Sequence, residues 1–147
     1  MAVTGKLKSA VFVAIQVLAL VYLALTGPWL APPSLVWLEI MAIYLATWAF
    51  LRFDLRQLRI APDPAHGARL ITHGPYRWIR HPMYSSVLLL TLAVVLSHPT
   101  VARVVVWLVL LTDLLAKLRY EEVLLARRFP EYSQYRKRTK KLIPFVY

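Results

Sequence analysis

The chain has 147 residues, of which 59% are hydrophobic and only 17% charged, yet its net charge is +11. Soluble proteins are roughly 45–50% apolar, and a globule of this size buries too little surface to hide more. Intrinsic disorder is excluded because disordered chains are poor in apolar residues. The lack of cysteine excludes disulfides, thiolate metal sites and a cysteine nucleophile. These properties indicate a small, basic, integral membrane protein of a single domain, residues 1–147.

Four apolar runs predict an all-α protein with four transmembrane helices. They cover residues 10–25, 35–51, 83–96 and 101–115. Each run is slightly shorter than the roughly 20 residues that span a bilayer, so flanking residues must complete the spans or the bilayer must thin. Ser97-His98-Pro99-Thr100 separates the last two runs and is too short for anything but a tight helical hairpin.

The first run has an alternative interpretation as a signal peptide, because Lys6 and Lys8 precede a 16-residue apolar stretch. No small-residue cleavage site follows the stretch, so we expect a retained helix. Residues 1–51 then form two N-terminal transmembrane helices, and residues 70–147 form the remainder of the same domain.

The distribution of cations predicts the orientation. Of the 18 Lys and Arg residues, 17 lie on one side of the four predicted spans, and Arg103 lies on the other. By the positive-inside rule, both termini are cytoplasmic. The basic segment 136–141 suits anionic lipid and belongs to no nucleic-acid-binding module, so we expect the bilayer as partner and no nucleic acid. The tryptophans are typical of interfacial anchors.

An antiparallel hairpin would bring two polar segments together at its cytoplasmic end. The third helix begins with Arg80, His81, Pro82 and Tyr84, and the fourth ends with Glu121 and Glu122. A helix N-terminus beside an arginine attracts a carboxylate or phosphate, whereas the glutamates accept hydrogen bonds or bind a cation. Aromatic faces there suit a ring or a sulfonium ion. The mixture suits a zwitterionic ligand with a sugar and a base.

Structural interpretations compete with a binding site. Arg80 and His81 are also typical of interfacial charges, and Glu121 is placed to pair with Lys117, which follows Asp113 by four residues in an ion ladder. Glu39 and Asp113 lie within apolar runs, where carboxylates are functional candidates. For Glu39 the alternative is a solvated position near the outer end of its helix. For Asp113 the alternative is a pair with Lys117.

Several motifs resemble the isoprenylcysteine carboxyl methyltransferase family, which is grouped with the phospholipid N-methyltransferases. In order, they are Gly74-Pro75-Tyr76, Arg80-His81-Pro82-Met83-Tyr84, Arg119-Tyr120-Glu121-Glu122 and Phe129-Pro130-Glu131-Tyr132-Ser133-Gln134-Tyr135. The resemblance extends from about Leu70 to Tyr147 and implies that residues 70–147 form the cofactor-binding core. Two departures are Pro130, where the family often has Gly, and Ser85-Ser86, near a common Gly. The first two helices resemble the family only as helices.

The resemblance implies S-adenosylmethionine as cofactor at the cytoplasmic end of the hairpin, and no metal. It implies catalytic roles for Arg80, His81 and Glu122. The cofactor-binding residues that it implies are Tyr76, Trp78, Arg80, His81, Pro82, Tyr84, Glu121 and Glu122. It further implies that Tyr132, Tyr135 and Arg136 belong to a cytoplasmic C-terminal helical segment that contacts substrate or closes the site.

The resemblance leaves the methyl acceptor open. We expect a lipophilic one, with a prenylated or other lipidated carboxylate first, a phospholipid amine second and a small volatile thiol third. The substrate enters sideways between the helices or is shared with a second protomer. In a bacterium the protein would lie in the inner membrane. The competing functions are an NADPH-dependent membrane reductase, because Leu142-Ile143-Pro144-Phe145 also resembles sterol reductases, and a non-enzymatic helical subunit.

Overall fold

The computed structural model describes residues 2–52 and 70–147, and these form helices connected by short turns. The helices are α1 (Ala2–Thr26), α2 (Val36–Arg52), α3 (Pro82–Ser97), α4 (Val101–Arg128) and α5 (Tyr132–Arg138), with a 3-10 helix at Gly74–Arg77. Within these residues the only β-type pairing is an isolated parallel bridge between Ile79 and Lys140. The all-α prediction is therefore confirmed. Arg56, Arg59 and Arg69, which entered the charge count, lie outside the described residues.

The predicted hairpin is present. Helix α3 ends at Ser97 and α4 begins at Val101, and the Thr100 side chain accepts a hydrogen bond from the Arg103 amide at 3.3 Å. An N-cap threonine satisfies one of the amides that a helix start leaves without a partner. At the other end of α3, Pro82 lies in the first turn, where its missing N–H costs nothing.

Helix α4 extends to Arg128, well beyond the apolar run that ends at residue 115. Its buried stripe continues at Leu114 and Leu118, both fully buried, so helical periodicity persists after the sequence becomes charged. This extension matters for the site because it carries Glu121 and Glu122 on the same rigid element as the apolar segment.

The helices pack as a bundle in which α2 contacts α3, α1 contacts α4, and α3 contacts α4. Leucines from three helices, including Leu23, Leu88 and Leu110, form the main core. Helix α1 ends against α3 so closely that a Cβ at Gly27 would collide with Val94. Gly27 is therefore required by close approach, whereas Gly74 is required by a positive φ of 64°.

One helix in the described part of the chain is long and apolar enough by itself to cross a membrane, at Leu7–Thr26. Helix α3 is apolar but has only 16 residues. Large apolar side chains on the outer faces of α1, α2 and α4 are exposed, among them Leu18, Ile43 and Val105. Patches of this kind on a helical bundle are typical of contact with lipid or another protein.

Candidate functional site

A buried ion pair joins the start of α3 to the second half of α4. The Nε atom of Arg80 donates to Oε1 of Glu122 at 2.6 Å, and both side chains are almost inaccessible. Charge-assisted hydrogen bonds of this length are among the stronger ones in proteins, and removing one partner would leave a buried charge unpaired. The expected convergence of the two polar segments is therefore present in the fold.

His81, Tyr84 and Glu121 form the other half of this cluster. The Tyr84 hydroxyl donates to Oε1 of Glu121 at 2.5 Å, and the His81 ring stacks on the Tyr84 ring with centroids 5.4 Å apart. The imidazole lies between the two glutamates, with Nδ1 at 3.6 Å from Glu121 and Nε2 at 3.6 Å from Glu122. At 3.6 Å these contacts are longer than hydrogen bonds, and Nε2 is buried without a hydrogen-bond partner among the described residues.

The two glutamates differ in electrostatic environment. Burial alone would raise the pKa of Glu122, but His81 and the hydrogen-bonded Arg80 guanidinium outweigh it and lower the pKa to about 2. The pKa of Glu121 is raised because burial outweighs the opposing effects of His81 and the Tyr84 hydroxyl. Adjacent carboxyls thus differ in their readiness to hold a proton, a pattern that is common at functional sites.

The C-terminal segment completes the cluster through backbone carbonyls. The Arg80 guanidinium donates to the carbonyl of Thr139 at 2.5 Å, and the amides of Arg80 and His81 donate to the carbonyls of Lys140 and Lys141 at 2.8 and 3.0 Å. The Ser85 hydroxyl donates to the carbonyl of Leu142 at 2.6 Å. These bonds fix the entry to α3, so the segment after α5 orients the cationic side of the site.

The expected closing residues also lie here. Tyr132 is fully buried, and burial together with the charge of Glu122 raises the pKa of its hydroxyl. The Tyr135 hydroxyl donates to the Tyr76 carbonyl at 2.7 Å, which ties α5 to the 3-10 helix. Arg136 contributes its carbonyl to Arg80 at 3.3 Å. Burial, reinforced by Glu121, raises the pKa of Tyr76 to about 12, so it stays protonated.

Trp78 and Pro82, which were also predicted to bind the cofactor, take part in contacts other than the buried ion pair. Trp78 is half-exposed and packs edge-on against Trp48 of α2, with ring centroids 5.5 Å apart. Pro82 is fully buried at the start of α3 and shapes that turn. Among the described contacts, neither side chain reaches the Arg80–Glu122 pair, and their cofactor roles remain predictions.

The ion ladder proposed as a structural alternative does not form as close ion pairs among the described residues, although the charge of Lys117 acts on both Asp113 and Glu121. The Lys117 ammonium donates to Oε1 of Gln16 on α1 at 2.9 Å and lies 5.3 Å from the centre of the Tyr84 ring. Glu121 is occupied by Tyr84 and His81, and both oxygens of Asp113 lack a partner among the described residues. Packing against α1 thus gives the lysine a hydrogen-bond partner on another helix.

The solvated position considered for Glu39 is wrong. The residue is buried, and its Oε1 accepts a hydrogen bond from the Ala31 amide at 2.9 Å. It thereby satisfies a backbone donor in the turn between α1 and α2, a role in folding that sequence patterning does not reveal.

Sequence reasoning missed several participants. Thr139 to Leu142 act through main-chain carbonyls, which carry no side-chain signature, and Gln16 lies about a hundred residues from its partner Lys117. Ser85 offered the one usable signal, a hydroxyl one turn after a helix start in an apolar run. An open cleft of about 400 Å³ between α4 and α5 is lined by Tyr132 and Arg136, which were predicted to contact substrate or close the site, and also by Ser133 and Lys137, which were not.

Fold and site together define a small helical protein with an ion-paired polar site at one end of a helical hairpin. A model of the phospholipid methyltransferase family matches residues 30–132, and the chain therefore belongs to that family. The stated resemblance is confirmed. The family is named for methyl transfer to phospholipids.

Two curated rice proteins are also similar to the chain. Each is described as a probable protein-S-isoprenylcysteine O-methyltransferase, one from Oryza sativa subsp. indica and one from subsp. japonica. Each is 36% identical over 92 residues, which cover 60% of this chain and 47% of the relative. The chain therefore spans about half the length of the curated relatives it matches.

Proposed function

We propose that the protein transfers a methyl group from S-adenosylmethionine to a lipophilic acceptor at the membrane interface. The observation that carries the proposal is the buried cluster of Arg80, His81, Tyr84, Glu121 and Glu122. These residues lie inside the segment that matches the family of phospholipid methyltransferases.

The polar groups of the cluster fit the cofactor. Glu121 and Glu122 offer carboxyl oxygens to its ammonium and hydroxyl groups, and Arg80 supplies a buried cation beside them. The Tyr84 ring adds an aromatic face that attracts cations such as a sulfonium.

The positions of the charged residues suggest which group of the cofactor each one binds. Arg80 and the start of α3 bind the carboxylate of the cofactor, whereas Glu121 and Glu122 accept hydrogen bonds from its hydroxyl and ammonium groups. When bound, the cofactor supplies a methyl group already activated by positive sulfur. The protein therefore needs mainly to orient the reactants and exclude water, which suits a site built from buried side chains.

We further propose four transmembrane helices with both termini in the cytoplasm. One helix meets the length and hydropathy expected of a span by itself, and the apolar outer faces of α2 and α4 support the others. The Glu121 end of α4 and the basic C-terminal segment would then lie at the cytoplasmic interface.

The proposed location of the site at the membrane interface indicates which class of methyl acceptor it would bind. A prenyl or acyl chain gains about 0.8 kcal/mol per buried methylene, whereas the cofactor is too polar for hydrocarbon, so the two would meet at the interface. A lipidated carboxylate is the first candidate, supported by the names of the rice relatives, and a phospholipid amine is the second, supported by the family description. Sharing of the substrate with a second protomer stays open.

Titration calorimetry with S-adenosylhomocysteine and with NADPH tests the proposal against its rivals. We expect S-adenosylhomocysteine to bind and NADPH not to bind. NADPH binding would favour a reductase, and binding of neither would favour a non-enzymatic subunit. Incubation with labelled S-adenosylmethionine and a membrane extract should then place label in the organic phase. Base-labile label would indicate a methyl ester, and base-stable label would indicate N-methylation.

A further inference from the structure

Asp113 is a buried carboxylate without a hydrogen-bond partner. Its residue is 6% exposed, and neither Oδ atom has a partner among the described residues. Its neighbours on α4, Leu110 and Leu114, are fully buried. A carboxylate in such surroundings destabilises the fold unless something donates to it, so its presence calls for a donor from outside the described contacts.

The neighbouring polar groups do not fill that need. Lys117, one helical turn away, attracts Asp113 electrostatically but donates its hydrogen bond to Gln16 and lies over the Tyr84 ring. Glu39, the other buried carboxylate within an apolar run, accepts the Ala31 amide. Glu39 therefore accepts a hydrogen bond within the fold, whereas both carboxylate oxygens of Asp113 accept none from the described residues.

Asp113 also lies in a suitable place for a substrate group. It precedes Glu121 by eight residues on α4, which corresponds to about 12 Å along the helix axis. Tyr84 lies between the two, since its hydroxyl donates to Glu121 and its ring centre lies 5.3 Å from Nζ of Lys117, one helical turn after Asp113. The residue therefore lies where the apolar part of α4 gives way to the polar cluster.

We propose that Asp113 determines acceptor specificity by receiving a hydrogen bond from an N–H or O–H group of the lipid substrate. This inference rests on the proposed function and deepens it, because it names a chemical feature that the acceptor must carry. Sites built to bind a donor discriminate strongly against analogues that lack it, since the buried acceptor is then left unpaired.

Two matched pairs of lipids test the inference by binding alone. N-acetyl-S-farnesylcysteine has an amide N–H that S-farnesylthiopropionic acid lacks, and dioleoylphosphatidylethanolamine has ammonium N–H groups that dioleoylphosphatidylcholine lacks. Affinity is measured in detergent micelles with S-adenosylhomocysteine present. We expect the donor-bearing member of at least one pair to bind about tenfold more tightly to the native protein.

The variants Asp113→Leu and Asp113→Asn should reduce this preference in graded fashion. Leucine removes the acceptor and should abolish the preference, whereas asparagine keeps a neutral oxygen and should retain part of it. The matched control is Glu39→Gln, which alters a buried carboxylate that already has a partner and should leave the preference unchanged. Equal binding within both pairs, or a preference that survives in Asp113→Leu, would overturn the proposal.

Thermal unfolding without lipid gives a second readout that does not depend on turnover. If Asp113 has no hydrogen-bond donor until the lipid binds, it destabilises the lipid-free protein. Both of its variants should then unfold at a higher temperature than the native protein. A lower unfolding temperature would mean that Asp113 has a partner in the fold, and would overturn the proposal while leaving methyl transfer intact. Failure of S-adenosylhomocysteine to bind would instead contradict the proposed function, and the lipid pairs measured without it would still test Asp113.

Discussion

Arg80 and Glu122 meet across the junction of α3 and α4, with 2.6 Å between Nε and Oε1, although 42 residues separate them in sequence. The pair connects two elements that the hairpin turn alone would hold together only at their far end. The glutamate stays ionised inside the protein because His81 and the Arg80 guanidinium together outweigh burial and lower the pKa of Glu122 to about 2. A site for a cationic, hydroxyl-bearing cofactor needs such a permanently charged acceptor.

Replacing either glutamate by glutamine should weaken cofactor binding. We expect Glu122→Gln and Glu121→Gln each to lose about 1–3 kcal/mol of S-adenosylhomocysteine affinity per lost charged hydrogen bond. Titration calorimetry in detergent measures the effect, with Glu131→Gln as a control because Glu131 lies at the exposed start of α5. Unchanged affinity in both variants would remove the pair from the site.

His81→Ala should lower activity far more than stability. The imidazole stacks on Tyr84 and lies between both glutamates, yet its Nε2 has no hydrogen-bond partner in the described part of the chain, so little of the described fold depends on that atom. Methyl-transfer rates and unfolding temperatures are compared with those of Ser86→Ala, a buried change whose hydroxyl contacts only the Met83 carbonyl. A loss of stability that accounts for the whole loss of activity would assign His81 a structural role.

Stability should decrease in acid through Glu122. Its folded pKa of about 2 lies below the unfolded value, so the ion pair contributes its full stability above the unfolded pKa of roughly 4.3 and loses it as the pH falls toward 2. Glu122→Gln should flatten that part of the curve in denaturation experiments between pH 5 and pH 2. Glu121 has the opposite effect on stability. Its pKa is raised in the folded protein, so it stabilises the fold at low pH and loses that contribution as the pH rises. An unchanged slope in the variant would contradict the assignment.

The carbonyls after α5 should be needed for binding. Ending the chain at Arg138 removes the carbonyls that receive hydrogen bonds from the guanidinium of Arg80 and from the amides of Arg80 and His81. We expect at least about tenfold weaker S-adenosylhomocysteine binding, from hydrogen bonds to a charged group worth roughly 1.5–3 kcal/mol. Removing only residues 144–147 keeps these carbonyls and is the control. Equal affinity of the two truncated proteins would show that the segment does not orient the site.

Cysteine labelling tests the proposed topology against a background without native cysteine. A cysteine at Thr100, in the turn between α3 and α4, should react with an impermeant thiol reagent from outside the cytoplasm. One at Ser133, on α5, should react only from the cytoplasmic side. Both positions are exposed, so reactivity reports the side of the membrane. Labelling of both from the same side would overturn the four-span arrangement.

The sequence by itself determined the helices and their order, because the apolar runs and their proline and glycine boundaries depend on local periodicity. It also placed the Arg80 and Glu122 segments together, since two arms of similar length joined by four residues have few ways to pack. It stopped α4 too early at residue 115, because hydropathy falls there, whereas the buried stripe through Leu118 continues.

Only the tertiary structure decided which polar groups pair. Lys117 lies one helical turn from both Asp113 and Glu121, yet it donates to Gln16 of α1, and Asp113 has no hydrogen-bond partner within residues 2–52 and 70–147. Glu39 binds a backbone amide, and the site is completed by carbonyls of Thr139 to Lys141. These choices depend on main-chain groups and on contacts between distant helices. They therefore follow from how the helices pack, which the identity of neighbouring residues in the sequence does not specify.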